Sequence, residues 1–293
     1  MRGQFQEERL SQKVGVVGAG LMGAEIALVF AQAGHDVLLS DRDQAILDRA
    51  TARLRTLMEK GVGRGFYKAE EIEPTLARIR PITELGAFVD REFVTEAVFE
   101  ARDVKASVLK ALDEICPADS VIASNTSTIP ISTLAAELPV ARRAKFIGTH
   151  YFSPVSRMKL VEVIPGFDTA KTTIETAMRA MADIGKTPIR VKDVAGFAVN
   201  RMLHAFMIEA VKLVEEGVAT PEDLDTACRL GLGHPIGPFA LMDAVTSSLC
   251  VQAQEIMQEA YGERFRPPAL LKQRVRAGYG GGKGKPGWFN TAG

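Results

Sequence analysis

The sequence predicts an α/β chain in which a doubly wound parallel sheet is followed by an all-helical domain. A valine-rich run at 13–17 breaks into the glycines of 18–23 and then into a helix-like stretch at 21–33. Short apolar runs keep returning as far as residue 191, with helical stretches between most of them. Beyond that point no strand pattern appears, and the rest of the chain reads as helix. A length of 293 residues fits about two domains. The boundary is expected near 193, with a sheet domain at 1–192, carrying an inserted helical hairpin, and a helical domain at 193–293.

Each element has a local reason. Gly34 and His35 end the first helix, and 36–41 reads as a second strand. These pieces make a β-α-β unit of about 30 residues, whose right-handed crossover sets the strands parallel. From 44 to 78 the residues favour helix except at Gly61, Gly63 and Gly65, which gives the hairpin. Further strands are expected at 78–82, 93–98, 120–123, 144–150 and 159–164, and a helix at 169–185 leads to the last strand at 187–191. From 196 to 216, Val199, Met202, Leu203, Phe206, Met207, Ala210, Val211 and Val214 fall at the i, i+3, i+4 spacing of one helix face. Thr220, Pro221 and Asp223 resemble a capping box, with aspartate in place of the usual glutamate or glutamine, and so start another helix. Stretches at 238–260 and 267–277 continue the helical pattern, and the glycine-rich 278–287 reads as a flexible tail.

Thirty-six basic residues against thirty-six acidic ones give a formal net charge of zero. That removes the electrostatic footprint that nucleic acid or an anionic membrane would need, so neither is an expected partner. Cys116, Cys228 and Cys250 form neither an even framework nor a close pair, and the four histidines supply no zinc-ligand spacing. Disulfides and metal are therefore not expected. The opening residues lack the apolar stretch of a signal peptide, and no apolar run reaches the roughly 18 residues of a membrane span. A cytoplasmic location is the default expectation.

Gly18, Gly20 and Gly23 form a GxGxxG pattern between a predicted strand and a predicted helix, and Asp41 follows eighteen residues beyond Gly23. Gly18 permits a tight turn, Gly20 lets a pyrophosphate touch the backbone at the positive helix end, and Gly23 permits close packing of helix on strand. This context points to a Rossmann-type dinucleotide site. A carboxylate at Asp41 accepts ribose hydroxyls and repels a 2′-phosphate, which favours NAD over NADP; the plain alternative is a strand-end turn carboxylate. The cluster Ser124, Asn125, Thr126, Ser127 stands at the carboxyl end of a strand, where open parallel sheets bind ligands, and reads equally as a cap or turn. His150 also ends a strand and alone reads as structural. Glu162 changes that reading, because a bend at Ser153-Pro154 can return 159–164 beside the first strand and bring a carboxylate to the imidazole. Arg53, Arg55, Lys60, Arg64 and Lys68 lie along the hairpin, either as a solvated basic face or as a contact surface for a phosphorylated ligand. No serine sits in a GxSxG elbow, which tells against a hydrolase.

The blocks at 14–23, 96–100, 124–127, 150–154, 158–163, 196–201 and 237–239, in this order, resemble the short-chain L-3-hydroxyacyl-CoA dehydrogenase family, which includes 3-hydroxybutyryl-CoA dehydrogenases. The resemblance spans roughly 13–290. It implies an NAD-dependent oxidoreductase interconverting (S)-3-hydroxyacyl-CoA and 3-oxoacyl-CoA, an acyl-CoA thioester as substrate and a homodimer formed through the helical domain. It also implies Ser127, His150, Glu162 and Asn200 as catalytic residues. His150 would remove the 3-hydroxyl proton, Glu162 would stabilise the imidazolium, and Ser127 and Asn200 would hold substrate oxygens. Leu21, Met22, Glu100, Lys105, Ser127, Ser153 and Lys283 would join Gly18, Gly20, Gly23 and Asp41 in the NAD site. With a thioester as substrate, Lys60, Arg64 and Lys68 are the candidates to anchor its phosphates. The chain departs from the family at Ser153, where many members carry asparagine, at Ala195, which replaces proline, at 244–248, which replaces a Gly-Leu-Asp pattern, and around Lys283. Two other readings stand beside this one: a dehydrogenase of CoA-free hydroxy or sugar acids, and a non-catalytic NAD-binding protein.

Overall fold

A computed structural model describes residues 11–289. Contacts divide the chain into two units, one ending at Asp193 and the other beginning at Val194. Asp193 belongs to the first because its carboxylate accepts the backbone N–H groups of Ile131 and Ser132, each at 2.7 Å.

The first unit contains the strands β1 (Lys13–Val17), β2 (Asp36–Ser40), β3 (Ile79–Ile82), β4 (Phe93–Glu96), β5 (Val121–Ser124), β6 (Phe146–Tyr151), β7 (Leu160–Pro165) and β8 (Thr187–Arg190). Its helices are α1 (Leu21–Gln32), α2 (Gln44–Val62), α3 (Ile72–Ala77), α4 (Arg102–Ile115), α5 (Ile131–Ala135), α6 (Val140–Arg143) and α7 (Lys171–Asp183). The strands form one sheet in the order β3-β2-β1-β4-β5-β6-β7-β8. Every neighbouring pair is parallel except β6 with β7. Strand order reverses at β1, which lies between β2 and β4. The crevice outside the carboxyl ends there is where sheets of this type take ligands.

Local sequence explains these positions. In β1, Gly15 leaves room for the Phe88 ring: an added Cβ would stand 2.8 Å from Phe88 Cε2. Helix α1 is buried from Gly23 to Ala31 because the sheet covers one side and α2 and α3 another, so it is apolar nearly all round rather than amphipathic. Helix α2 starts where the Asp43 carboxylate accepts the Ala45 N–H at 2.8 Å, and an ion pair between Arg55 and Glu73 ties it to α3. The expected hairpin thus forms, with a short second arm. After β6 the chain turns through Ser153-Pro154 and returns antiparallel, which sets Gly148 opposite Ile164 and His150 opposite Glu162.

The second unit contains α8 (Val199–Glu215), α9 (Pro221–Gly231), α10 (Pro238–Val245), α11 (Ser247–Tyr261) and α12 (Ala269–Arg276). Met207, Val211, Phe239, Met242, Cys250, Leu271 and Trp288 form its core. The Thr220 cap forms, with its hydroxyl oxygen accepting the Asp223 N–H at 3.1 Å. Two expectations need correction. Met202 is 67% exposed, and the buried face of α8 is rotated to take in His204 and Ile208 instead. The glycine-rich segment is no flexible tail: Gly282 N–H bonds to the Asp243 carbonyl at 2.7 Å, and the Asp243 carboxylate accepts the N–H groups of Trp288 and Phe289 at 2.7 and 3.0 Å. A Cβ on Gly287 would stand 2.1 Å from Asp243 Oδ1, so the glycine there serves close approach, not freedom.

Candidate active site

The glycine loop leaves β1 at the reversal point and opens α1. Gly18 has φ +100°, and a Cβ there would meet the Ala97 carbonyl oxygen at 2.6 Å. A Cβ on Gly23 would lie 1.8 Å from the Gly18 oxygen. The fold therefore demands glycine at both positions. Gly20 differs: a Cβ there meets nothing within 4 Å. The space above it is open to a ligand, as a pyrophosphate lying on the N-terminus of α1 requires. Leu21 and Met22 form the first turn of α1 over the same opening. Asp41, just past β2, accepts the Ala19 N–H at 2.9 Å through Oδ2, so its carboxylate sits against the loop. The residues present fit a bound NAD.

Beside this loop stands a charged network in which Glu100 and Lys105, both expected in the NAD site, join Glu96, which was not expected there. Glu96, fully buried at the end of β4, accepts Lys105 Nζ and Val98 N–H, each at 2.8 Å, and Ser124 Oγ at 2.6 Å. Lys105, 1% exposed, also lies 3.2 Å from Glu100 Oε2 and 3.4 Å from the Val98 carbonyl. Its three N–H groups thus have acceptors within the fold, and Lys105 acts here as an anchor for the 96–100 segment. Glu100 in turn accepts the hydroxyls of Thr126 and Thr128 and the backbone N–H groups of Ser127 and Thr128 at 2.6–3.0 Å. Burial alone would raise its pKa, but the Lys105 charge and these hydrogen bonds outweigh burial and hold it below the usual carboxylate range.

The 124–127 cluster divides in two. Ser124, Asn125 and Thr126 hold the loop: Asn125 Oδ1 accepts the Tyr151 N–H at 3.0 Å, and Thr126 bonds to Glu100. Ser127 is only half-buried, its N–H faces Glu100 at 2.8 Å, and its hydroxyl bonds to no described residue. The turn reading suits the first three residues, while the Ser127 hydroxyl has no partner among the described residues.

His150 and Glu162 meet as their strand positions require. Residues directly opposite in an antiparallel pair project to the same side, and His150 Nδ1 lies 2.8 Å from Glu162 Oε2. The imidazole is 4% exposed and the carboxylate not at all, so their attraction is little screened by water. Phe152 packs on the imidazole with ring centroids 4.6 Å apart. Ser153 follows on a loop pinned from two sides. Glu25, buried in α1, accepts the Ser156 N–H at 2.9 Å, and Lys186 Nζ donates to the carbonyls of Val155 and Met158. Burial, followed by the Lys159 charge, pushes the Lys186 ammonium down to about 8 against the opposing pull of Glu25.

On the hairpin the five cations separate. Arg55 pairs with Glu73, and Arg53 reaches the Gly20 carbonyl at 2.8 Å. Lys60, Arg64 and Lys68 are exposed. In the helical unit, Asn200 is half-buried in the first turn of α8, and Lys283 is exposed on the glycine turn that packs on Asp243. Among the described residues, no group of three or more His, Cys, Asp and Glu could hold a metal ion, and no helix is long and apolar enough to cross a membrane.

Comparison with known proteins agrees with this geometry. Residues 13–194 match the family model of the 3-hydroxyacyl-CoA dehydrogenase NAD binding domain, and residues 196–291 match that of the C-terminal domain. The chain is 39% identical over 281 residues to a probable 3-hydroxybutyryl-CoA dehydrogenase from Deinococcus radiodurans, covering 94% of this chain and 99% of that one. It is 36% identical to the mitochondrial hydroxyacyl-coenzyme A dehydrogenase of Sus scrofa, covering 96% and 91% of the two chains. The crystal structure of (S)-3-hydroxybutyryl-CoA dehydrogenase from Ralstonia eutropha superposes with a TM-score of 0.90 at 36% identity, covering 94% of this chain and 98% of that one.

Proposed function

This chain belongs to the 3-hydroxyacyl-CoA dehydrogenase family and is an NAD-dependent oxidoreductase of the 3-hydroxybutyryl-CoA dehydrogenase type, and we propose that it interconverts (S)-3-hydroxyacyl-CoA and 3-oxoacyl-CoA with His150 and Glu162 as its acid-base pair. NAD, when bound, takes up the hydride that leaves C3 in the oxidative direction and returns it in the other. His150 handles the proton. With Nδ1 engaged by Glu162, Nε2 is the nitrogen that accepts the 3-hydroxyl proton, and the imidazolium so formed gains a buried counter-charge 2.8 Å away. Ser127 Oγ donates to a substrate oxygen, and the Asn200 carboxamide donates to another, fixing the reacting carbons in place. The observation that carries this reading is the His150–Glu162 contact, formed on the same carboxyl edge of the sheet as the glycine loop.

Lys60, Arg64 and Lys68 are the proposed anchor for the phosphates of the CoA moiety, since they alone among the hairpin's basic residues discussed above are exposed and have no ion-pair partner among the described residues. Homodimerisation through the helical unit belongs to the same proposal. Exposed Met202, Leu230, Leu232 and Leu249 are large apolar side chains that a second copy would bury. A spectrophotometric NADH assay against acetoacetyl-CoA and free acetoacetate tests the substrate class. The thioester should give a kcat/KM at least about 10²-fold higher, because binding energy from the remote CoA moiety orients the reacting carbons. Comparable values would favour a CoA-free hydroxy acid as the substrate.

A further inference from the structure

Arg53 stands midway along α2, surrounded in sequence by the basic residues of the hairpin, yet its side chain leaves that face. Nη2 crosses to the glycine loop and donates to the Gly20 carbonyl at 2.8 Å. That carbonyl also accepts the first bond of α1, from Ala24 N–H at 3.1 Å, so the guanidinium lies at the helix end itself. Arg53 Nε is buried with no hydrogen-bond partner among the described residues, and no carboxylate among them lies within ion-pair distance of the side chain. The side chain as a whole is partly exposed and Nη2 is paired, so it is the Nε–H donor alone, shut off from water and without a partner among the described residues, that calls for an explanation. Next to it, the missing Cβ of Gly20 leaves open space. On the other side of the same loop, Asp41 accepts the Ala19 N–H at 2.9 Å.

We propose that Arg53 is a cofactor-binding residue that sets its guanidinium against the diphosphate of the dinucleotide at the Gly20 opening. The proposal rests on the reading of 18–23 as the NAD loop. In it, the loop is held between opposite charges with separate duties. Asp41 faces the ribose hydroxyls, and Arg53 adds a positive charge to the N–H groups and dipole of α1, which alone would meet a doubly charged diphosphate. A guanidinium suits this position because its planar fork can hold the Gly20 carbonyl with one N–H and offer others to phosphate oxygens.

Titration with ADP-ribose, and with adenosine as a competitor that lacks the diphosphate, tests this without turnover. In Arg53→Met the dissociation constant for ADP-ribose should rise about 10- to 100-fold, the worth of a hydrogen bond to a charged group, while adenosine competes as before. The salt dependence of ADP-ribose binding should flatten in Arg53→Met and persist in Arg53→Lys, which keeps the charge and serves also if the methionine variant folds poorly. Equal losses for adenosine and ADP-ribose would mean that Arg53 only shapes the loop, and would overturn the proposal. Weakened binding of acetoacetyl-CoA with ADP-ribose unaffected would assign Arg53 to the CoA surface and overturn it too. If the unmodified protein fails to bind ADP-ribose, the dinucleotide reading itself falls, and that outcome is recognisable because it needs no variant.

Discussion

At the scale of single residues, the proposed chemistry turns on a contact between two side chains twelve residues apart. His150→Ala removes the proton acceptor but leaves the glycine loop and Asp41 untouched, so turnover should fall about 10²–10⁴-fold with NADH affinity nearly unchanged. Glu162→Gln keeps the shape and removes the counter-charge of the imidazolium, and it should lower turnover in the same direction by less. Stopped-flow turnover and NADH fluorescence titration separate the two quantities. A His150→Ala variant that loses NADH affinity as much as turnover would return His150 to a structural role. The pairing of His150 with Glu162 was legible in the sequence because a short antiparallel return leaves a small set of registers. The role of Arg53 was not. Its partner, the Gly20 carbonyl, lies 33 residues earlier, and a backbone oxygen leaves no mark on composition or charge pattern. Glu96 escaped for a related reason, since its charge is met by Lys105 only once the fold has brought the two together, whereas Lys105 and Glu100 entered through the family resemblance alone.

At the scale of elements, glycine and helical periodicity show where sequence reasoning succeeds and where it stops. The tight turn at Gly18 and the close packing at Gly23 were legible because a positive φ and the Gly18 oxygen both lie within six residues, although Gly18 also meets the distant Ala97 carbonyl. Within 278–287, Gly281 and Gly287 serve close approach to Asp243, a partner more than thirty residues away, and Gly278, Gly281, Gly282 and Gly284 take positive φ, so a structured turn looks like a tail. Periodicity found helix α8 but set its apolar face one step off, placing Met202 inside and leaving His204 out. Spacing alone weighs hydropathy, whereas the packed face also accepts a neutral imidazole. The hairpin supplies a prediction at this scale. Charge reversal at Lys60, Arg64 or Lys68 should raise KM for acetoacetyl-CoA while KM for NADH changes little, and added salt should mimic the effect on the unmodified protein. An unchanged thioester KM in all three variants would make this face merely solvated.

At the scale of the whole molecule, the described residues include a core beneath the sheet and another among α8 to α12, and the second carries a buried titratable group. His204 lies on the buried face of α8, is 6% exposed, and its Nδ1 has no hydrogen-bond partner among the described residues. Burial pushes its pKa down to about 4 from 6.5. The folded unit therefore binds fewer protons than the unfolded chain between these two values, and its stability must fall as pH drops through that window, with nothing lost above it. At pH 5 the loss comes to about 2 kcal/mol, enough to lower the melting temperature of a unit of this size by on the order of 10 °C. His204→Leu fills the site with an apolar side chain that cannot titrate and should flatten this dependence. Calorimetry of both proteins at pH 7 and pH 5 is the measurement. The gap between their transitions in the helical unit should widen with acidification, and an identical acid shift in the variant would show that groups other than His204 set the acid lability of the second core.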